Sequence, residues 1–130
     1  MLSHVHIGTN DFDRSLAFYN AVMPLLGWRR RFIDRTRPWA GWQPGDQERP
    51  LLLVGSPFDD QPASPGNGQM TALLAPSRAA VDQFYTVALA HGGRSEGEPG
   101  LRPEYHAKYY GAYLRDPAGN KLCVCHHGGA

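Results

Sequence analysis

The chain reads as an α+β protein assembled from two copies of one strand–helix–three-strand unit. Three observations predict this. The sequence repeats itself at an offset of 66 residues: Phe18-Tyr19 recurs as Phe84-Tyr85, Gly27 as Gly93, Asp11 as Ser77, and His4 falls on Met70. A fixed period with two copies in a short chain means a duplicated supersecondary unit rather than a solenoid. Both copies also run in one order, from a short apolar segment through a polar cap into an amphipathic helix that closes on an aromatic pair and a glycine. Between them lies a stretch rich in Pro, Gly, Ser, Asp and Asn, residues 55–68. Two such units, each exposing one sheet face, would enclose a cleft suited to a small molecule.

Residues 2–8 alternate, with Leu2, His4, His6 and Gly8 on one face and Ser3, Val5 and Ile7 on the other. That is the pattern of a half-buried strand. Thr9-Asn10-Asp11 offers N-caps for a helix. From 12 to 26, Phe12, Leu16, Tyr19, Met23 and Leu26 recur at helical spacing. Pro24 cannot continue the backbone ladder, so the helix is expected to end or kink near Val22, with Gly27 closing the turn. Residues 28–33 and 39–42 are short strands around a loop at 35–38, and 51–54 is a compact apolar strand.

In the second copy, residues 69–75 are the first strand and Pro76-Ser77 opens the helix. Ala79, Ala80, Phe84, Val87 and Leu89 give that helix an apolar stripe, and Gly92-Gly93 ends it. Residues 95–103, which contain Glu98-Pro99-Gly100, read as a loop, and the middle strand is placed around 101–105. Residues 109–115 alternate as a strand, Asp116-Pro117-Ala118-Gly119-Asn120 is turn chemistry, and 121–125 is the last strand. The Gly-rich tail is expected to fray. The whole is one domain: a first module at about 1–56, a linker at 57–67 and a second module at about 68–127.

A chain of 130 residues is about one domain, long enough to bury a core. A net charge of +1 gives no footing for nucleic acid or an acidic membrane surface. Arg29-Arg30-Arg31 has the form of a phosphate patch but reads as the solvated flank of a strand. No run reaches the roughly 18 apolar residues of a membrane span, and the first residues carry no signal-peptide pattern. Cys123 and Cys125 sit two apart on one strand, a spacing ill suited to a mutual disulfide. A reduced, cytoplasmic setting is expected.

Three segments then carry a family resemblance. The first is His4-Val-His-Ile-Gly-Thr-Asn-Asp11 with Ser15-Leu-Ala-Phe-Tyr19 and Leu26-Gly27. The second is Ser77-Arg-Ala-Ala-Val-Asp-Gln-Phe-Tyr85 with Ala90-His-Gly-Gly93. The third is Tyr109-Tyr-Gly-Ala-Tyr-Leu-Arg-Asp-Pro-Ala-Gly-Asn120. In order, and with the internal repeat, they resemble the vicinal oxygen chelate superfamily of glyoxalase I, bleomycin- and fosfomycin-resistance proteins and extradiol dioxygenases. The resemblance spans essentially the whole chain. It implies two tandem βαβββ modules whose curved sheets form a half-barrel, usually in a homodimer.

The resemblance also implies a divalent metal with open positions that steadies a developing enolate or oxyanion, or activates dioxygen. The implied ligands fall on His4, Met70 and Cys123. Only His4 keeps the family's ligand type; Cys123 stands where the family has Glu. Thioether suits soft ions rather than Mg, Mn or Zn, and one His with one Cys is too few for a stable zinc site. The expected protein therefore binds a small organic molecule in the half-barrel cleft with a degenerate metal triad, so its cofactor is either none or a divalent ion held by His4 and Cys123. Two alternatives stay open: a metal-dependent lyase, isomerase or dioxygenase, and an antibiotic-sequestering binder. Whether the chain is an enzyme is left open.

The pocket candidates are His4, His6, Trp42, Met70, His106, Tyr109 and Cys123. His4 and His6 share a strand face because their spacing is two. His106 and Tyr109 lie in Tyr105-His-Ala-Lys-Tyr-Tyr110, a run resembling one in family members with this C-terminal half. Trp42 would stack on a planar ligand, or else pack in the core. Cys123 and Cys125 would face the open side of the sheet if Leu122 and Val124 pack on a helix. A nucleophilic cysteine would then draw its base from His4 or His6 across the cleft. Arg115 reads as a carboxylate anchor or a solvent-facing ion pair.

Overall fold

The computed structural model describes residues 1–129. In chain order it contains β1 (His4–Gly8), α1 (Phe12–Val22), a 3-10 turn (Met23–Leu26), β2 (Trp28–Asp34), β3 (Trp39–Pro44) and β4 (Leu51–Gly55). There follow β5 (Thr71–Leu74), α2 (Arg78–Ala90), β6 (Arg94–Leu101), β7 (Tyr110–Arg115) and β8 (Lys121–His126). The strands make two four-stranded sheets of one plan, β1-β4-β3-β2 and β5-β8-β7-β6. In each, the first and last strands of the unit pair in parallel. The other pairings are antiparallel. This is the two-module α+β architecture that the repeat predicts.

The two helices begin alike. The Asp11 carboxylate accepts the Arg14 N–H at 3.2 Å, and the Ser77 hydroxyl accepts the Ala80 N–H at 3.0 Å. Each cap satisfies a donor that the first helical turn leaves orphaned. Helix α1 stops at Val22, and the chain tightens through Pro24 into the 3-10 turn. Gly27 closes it at φ 83°, a left-handed conformation that costs a residue with a Cβ about 1–2 kcal/mol.

The second copy's middle strand is Arg94–Leu101, so residues 95–103 are not a loop and 101–105 is not the strand. Pro99 and the glycines argue against a strand because proline donates nothing to a ladder. β6, however, is the outer strand of its sheet. An edge tolerates Pro99, and register shifts between Ser95 and Gly97 and between Gly97 and Gly100 take up the glycines as bulges. Residues 103–105 are instead a turn, with the Tyr105 N–H donating to the Arg102 carbonyl at 3.0 Å.

One face of each sheet is covered by helix. Phe18, Tyr19 and Val22 of α1 and Val81, Phe84 and Ala88 of α2 are fully buried. They join Val54, Leu114, Leu122 and Val124 in one continuous core. The stripe of α2 thus runs through Ala80, Val81, Phe84 and Ala88, while Ala79 and Leu89 are exposed. Trp42 belongs to this core and not to a pocket: it is 1% exposed, with its ring centroid 5.7 Å from that of Tyr19. Strand alternation turns Ala40 and Trp42 to the helix together.

A buried polar clamp joins the two copies. The Tyr19 hydroxyl donates to Asp116 Oδ2 at 2.6 Å. Asp116 Oδ1 accepts the N–H groups of Ala118 and Asn120, each at 2.9 Å. Asn120 Nδ2 donates to the Gly8 carbonyl at the end of β1, also at 2.9 Å. The turn before β8 is thereby held against both α1 and β1. At the outer rim Arg115 pairs with Glu96 at 2.8 Å, and the Arg29-Arg30-Arg31 run is exposed.

Candidate functional site

β1 and β5 are the edge strands of their sheets. A cleft of about 560 Å³ is lined by β1, the linker and the start of β8, with His6, Gly68, Met70, Asn120 and Lys121 on its walls. The linker is pinned there by Asn10, which donates to the Ala63 carbonyl at 2.9 Å and accepts the Ala63 N–H at 2.7 Å. Gly8 permits the approach, since a Cβ would stand 3.0 Å from Ala63 Cβ. Partial burial, then the charges of Arg37 and His4, push the His6 pKa down and favour its neutral form.

A second cluster lies on the face of the β5-β8-β7-β6 sheet away from α2. Leu122 and Val124 enter the core, so alternation sends Cys123 and Cys125 to the other side. Tyr113 is the cross-strand partner of Cys123, and Gly111 that of Cys125. Tyr109 lies over Gly111: a Cβ there would be 2.9 Å from Tyr109 Cε1 and 3.4 Å from Cys125 Cβ. The Tyr109 hydroxyl reaches Cys123 Sγ at 3.3 Å and the Tyr113 hydroxyl at 3.0 Å.

On the far side His127 Nε2 is 3.7 Å from Cys125 Sγ, and His106 Nε2 is 2.8 Å from His127 Nδ1. The two imidazoles stack with centroids 5.1 Å apart. Arg102 and Lys121 lie 5.5 and 5.8 Å from the Tyr113 ring centroid. Lys121 therefore borders both the cleft and the cluster.

The polarity of this hydrogen-bonded line follows from one backbone group. The Lys108 N–H donates to His106 Nδ1 at 3.2 Å, so that nitrogen is the acceptor. A neutral His106 then carries its proton on Nε2 and donates it to His127 Nδ1. His127 in turn presents Nε2–H to Cys125. On the other side of the sheet face the Tyr109 hydroxyl meets Cys123 Sγ, where either group can be the donor. The neighbouring Cys125 thiol, then the Tyr109 and Tyr113 hydroxyls, with the Arg102 charge nearby, outweigh burial and hold the Cys123 thiol down to about 6. Cys125 is pushed up, first by the neighbouring Cys123 thiol and then by burial. Burial and the same sulfur raise Tyr109.

His6 and Met70 thus meet in the cleft, while His106, Tyr109 and Cys123 meet in the cluster. His4 lines neither: it is exposed, with Nδ1 2.9 Å from the Ser3 hydroxyl. Among the described residues, no three His, Cys, Asp or Glu side chains are arranged to hold a metal ion. Sequence reasoning did not single out Tyr113, His127, Arg102 or Lys121. Spacing could have found His127, because residues 123, 125 and 127 share parity with the strand. Arg102 had no such signal; it arrives through the reversal at 102–109, closed by its N–H on the Tyr109 carbonyl at 2.9 Å.

Comparison with known proteins places these features in context. The family model of the glyoxalase/bleomycin resistance protein/dioxygenase superfamily matches residues 1–124. A glyoxalase/bleomycin resistance protein from Albidiferax ferrireducens T118 is 34% identical, superposes with a TM-score of 0.83, and aligns over 98% of this chain and 99% of its own. A family enzyme from Burkholderia phytofirmans PsJN is 22% identical at a TM-score of 0.69, covering 97% and 98%. A lactoylglutathione lyase from Agrobacterium tumefaciens is 23% identical at 0.66, covering 97% and 92%. Comparison with curated proteins gives no significant match.

Proposed function

The chain belongs to the glyoxalase/bleomycin resistance protein/dioxygenase superfamily, and on that footing we propose that it binds a small organic molecule in the cleft between β1, the linker and β8, without the family's metal triad. The cleft of about 560 Å³ carries this reading. Its size is that of small-molecule sites, and His6, Asn120 and Lys121 supply convergent polar groups.

The donor set argues against a resident divalent metal. The Met70 side chain is an exposed thioether, a poor ligand for hard cations. Cys123 Sγ is already engaged by Tyr109, and His4 is engaged by Ser3. Protein purified without chelator or affinity metal is expected to hold far less than one equivalent of Mn, Fe, Ni or Zn by elemental analysis. Fragments detected by ligand-observed NMR should lose binding in Lys121→Ala. Stoichiometric metal that disappears in His4→Ala would favour the metal-dependent lyase, isomerase or dioxygenase instead.

We place the protein in the cytoplasm as a homodimer. No helix among the described residues is long and apolar enough to cross a membrane, and both cysteines are free thiols, which suits a reducing compartment. Leu2 and Leu74 are 65% and 67% exposed. With Trp28 and Leu51 they line an apolar hollow of about 360 Å³, and a second copy is the occupant proposed for it. Light scattering should give twice the chain mass of 14.4 kDa, falling to the monomer in Leu74→Glu. A monomer at micromolar concentration would remove this part of the reading.

A further inference from the structure

We propose that the ligand of the cleft is a small monocarboxylate with an apolar body, its carboxylate held by Lys121 and its body lying against Met70. This ligand class rests on the binding reading of the same cleft. Charge argues for it first. Among the described residues, neither Asp nor Glu lines the cleft, and Lys121 is the one lysine or arginine on its walls. Lys121 has no counter-ion of its own. The ion pairs among the described residues are Arg35 with Asp13 and Arg115 with Glu96. Glu96, the carboxylate that the Lys121 charge reaches, is already bound by Arg115 at 2.8 Å. A half-buried ammonium facing a cavity without a counter-charge gains from an anion that enters. The carboxylate supplies that charge and accepts a charge-assisted hydrogen bond.

The fold fixes where the ammonium stands. Leu122 and Val124 enter the core, so alternation sends Lys121 to the open face of the sheet. Its Nζ is 5.8 Å from the Tyr113 ring centroid. Such a contact steadies a cation without neutralising it. Register then sets the apolar partner. Thr71 pairs with Leu122 in the parallel β5–β8 ladder, so the residues before them, Met70 and Lys121, stand side by side at its mouth. Met70 is 45% exposed, and with Pro65 it offers an apolar shelf beside the ammonium. A flexible, polarisable thioether suits an aromatic or unsaturated body.

The remaining groups limit the charge of the ligand to one. His6, in its neutral form, offers a single N–H from the opposite wall. The Asn120 amide nitrogen is already spent on Gly8 and Asp116. Arg37, whose charge reaches His6, does not line the cleft and stacks over Trp39 at 4.5 Å. One unpaired cation with neutral donors matches a carboxylate better than a phosphate dianion.

The test titrates the full-length protein with phenylacetate, phenylacetamide and benzyl phosphate, followed by ligand-observed NMR and calorimetry. Phenylacetate should bind about tenfold more tightly than its amide, the scale of one charge-assisted hydrogen bond. Lys121→Met keeps the side-chain length and removes the charge. It should bring phenylacetate down to the affinity of the amide and leave the amide unchanged. Lys121→Arg should keep the preference. Equal binding of phenylacetate and phenylacetamide by the wild type, tighter binding of benzyl phosphate, or a preference that survives Lys121→Met would each overturn the proposal. Fragment hits that include no acid would overturn it while leaving the ligand reading standing. Binding of none of the three probes and of no fragment would sink the ligand reading, and the carboxylate class with it.

Discussion

Replacing Asp116 by alanine is expected to lower the stability of the fold by about 3 kcal/mol or more, because several buried donors lose their acceptor together. Asp116 is 2% exposed. Its carboxylate receives the Tyr19 hydroxyl, two backbone N–H groups and the Asn120 amide. The fully buried Tyr19 hydroxyl would be stranded, and Asn120 would lose the partner that aims it at the Gly8 carbonyl. The urea midpoint should fall with an unchanged slope. Tyr19→Phe alone should cost about 1–2 kcal/mol, and the two changes should be strongly non-additive because they remove one interaction. Burial, then the Asp116 charge, raises the Tyr19 pKa well above the ordinary tyrosine value. Its contribution is therefore complete below about pH 10 and is lost as pH rises through the folded value. A loss under about 1 kcal/mol in Asp116→Ala would mean that the clamp is peripheral.

Much of the fold was legible because the signals were local. Asp11, Ser77 and Pro24 act within a turn of their own positions, and the helix ends fall where they indicate. β6 was not legible, because whether a proline can sit in a strand depends on which strand is outermost, and that is a property of the sheet. Trp42 failed for a related reason. Its neighbour β4 is apolar on both faces, Leu51 and Leu53 on one and Leu52 and Val54 on the other. Alternation there does not say which face a helix will cover.

The site divides in the same way. Cys123 was readable from the period of its strand. His127 was hidden in a tail read as frayed. Arg102 reaches the cluster by a chain reversal that no periodicity encodes.

Truncating Phe84 to alanine is expected to cost about 3–5 kcal/mol, the range for a large aromatic removed from a closed core. The ring is fully buried on α2. Phe18→Ala, its counterpart in the first copy and equally buried, should cost about as much. The more telling expectation concerns cooperativity. The two copies share one apolar cluster, in which Tyr19, Val22 and Met23 of the first belong with Phe84, Val81 and Ala88 of the second. Helix α1 packs on α2, and α2 also packs on the 3-10 turn. A unit of roughly 60 residues is marginal by itself, and these two share their core, so neither copy should survive loss of the other. Phe84→Ala is thus expected to unfold the whole chain in one transition of unchanged slope, a large share of the roughly 5–15 kcal/mol typical of a domain. Far-ultraviolet circular dichroism would report both halves together and tryptophan fluorescence the first half alone. All three tryptophans lie in the first copy, so they are distant in sequence from the substitution. Coincident curves are expected. A fluorescence transition left at the wild-type midpoint while part of the dichroism shifts would show that the duplicated units are independent folding domains.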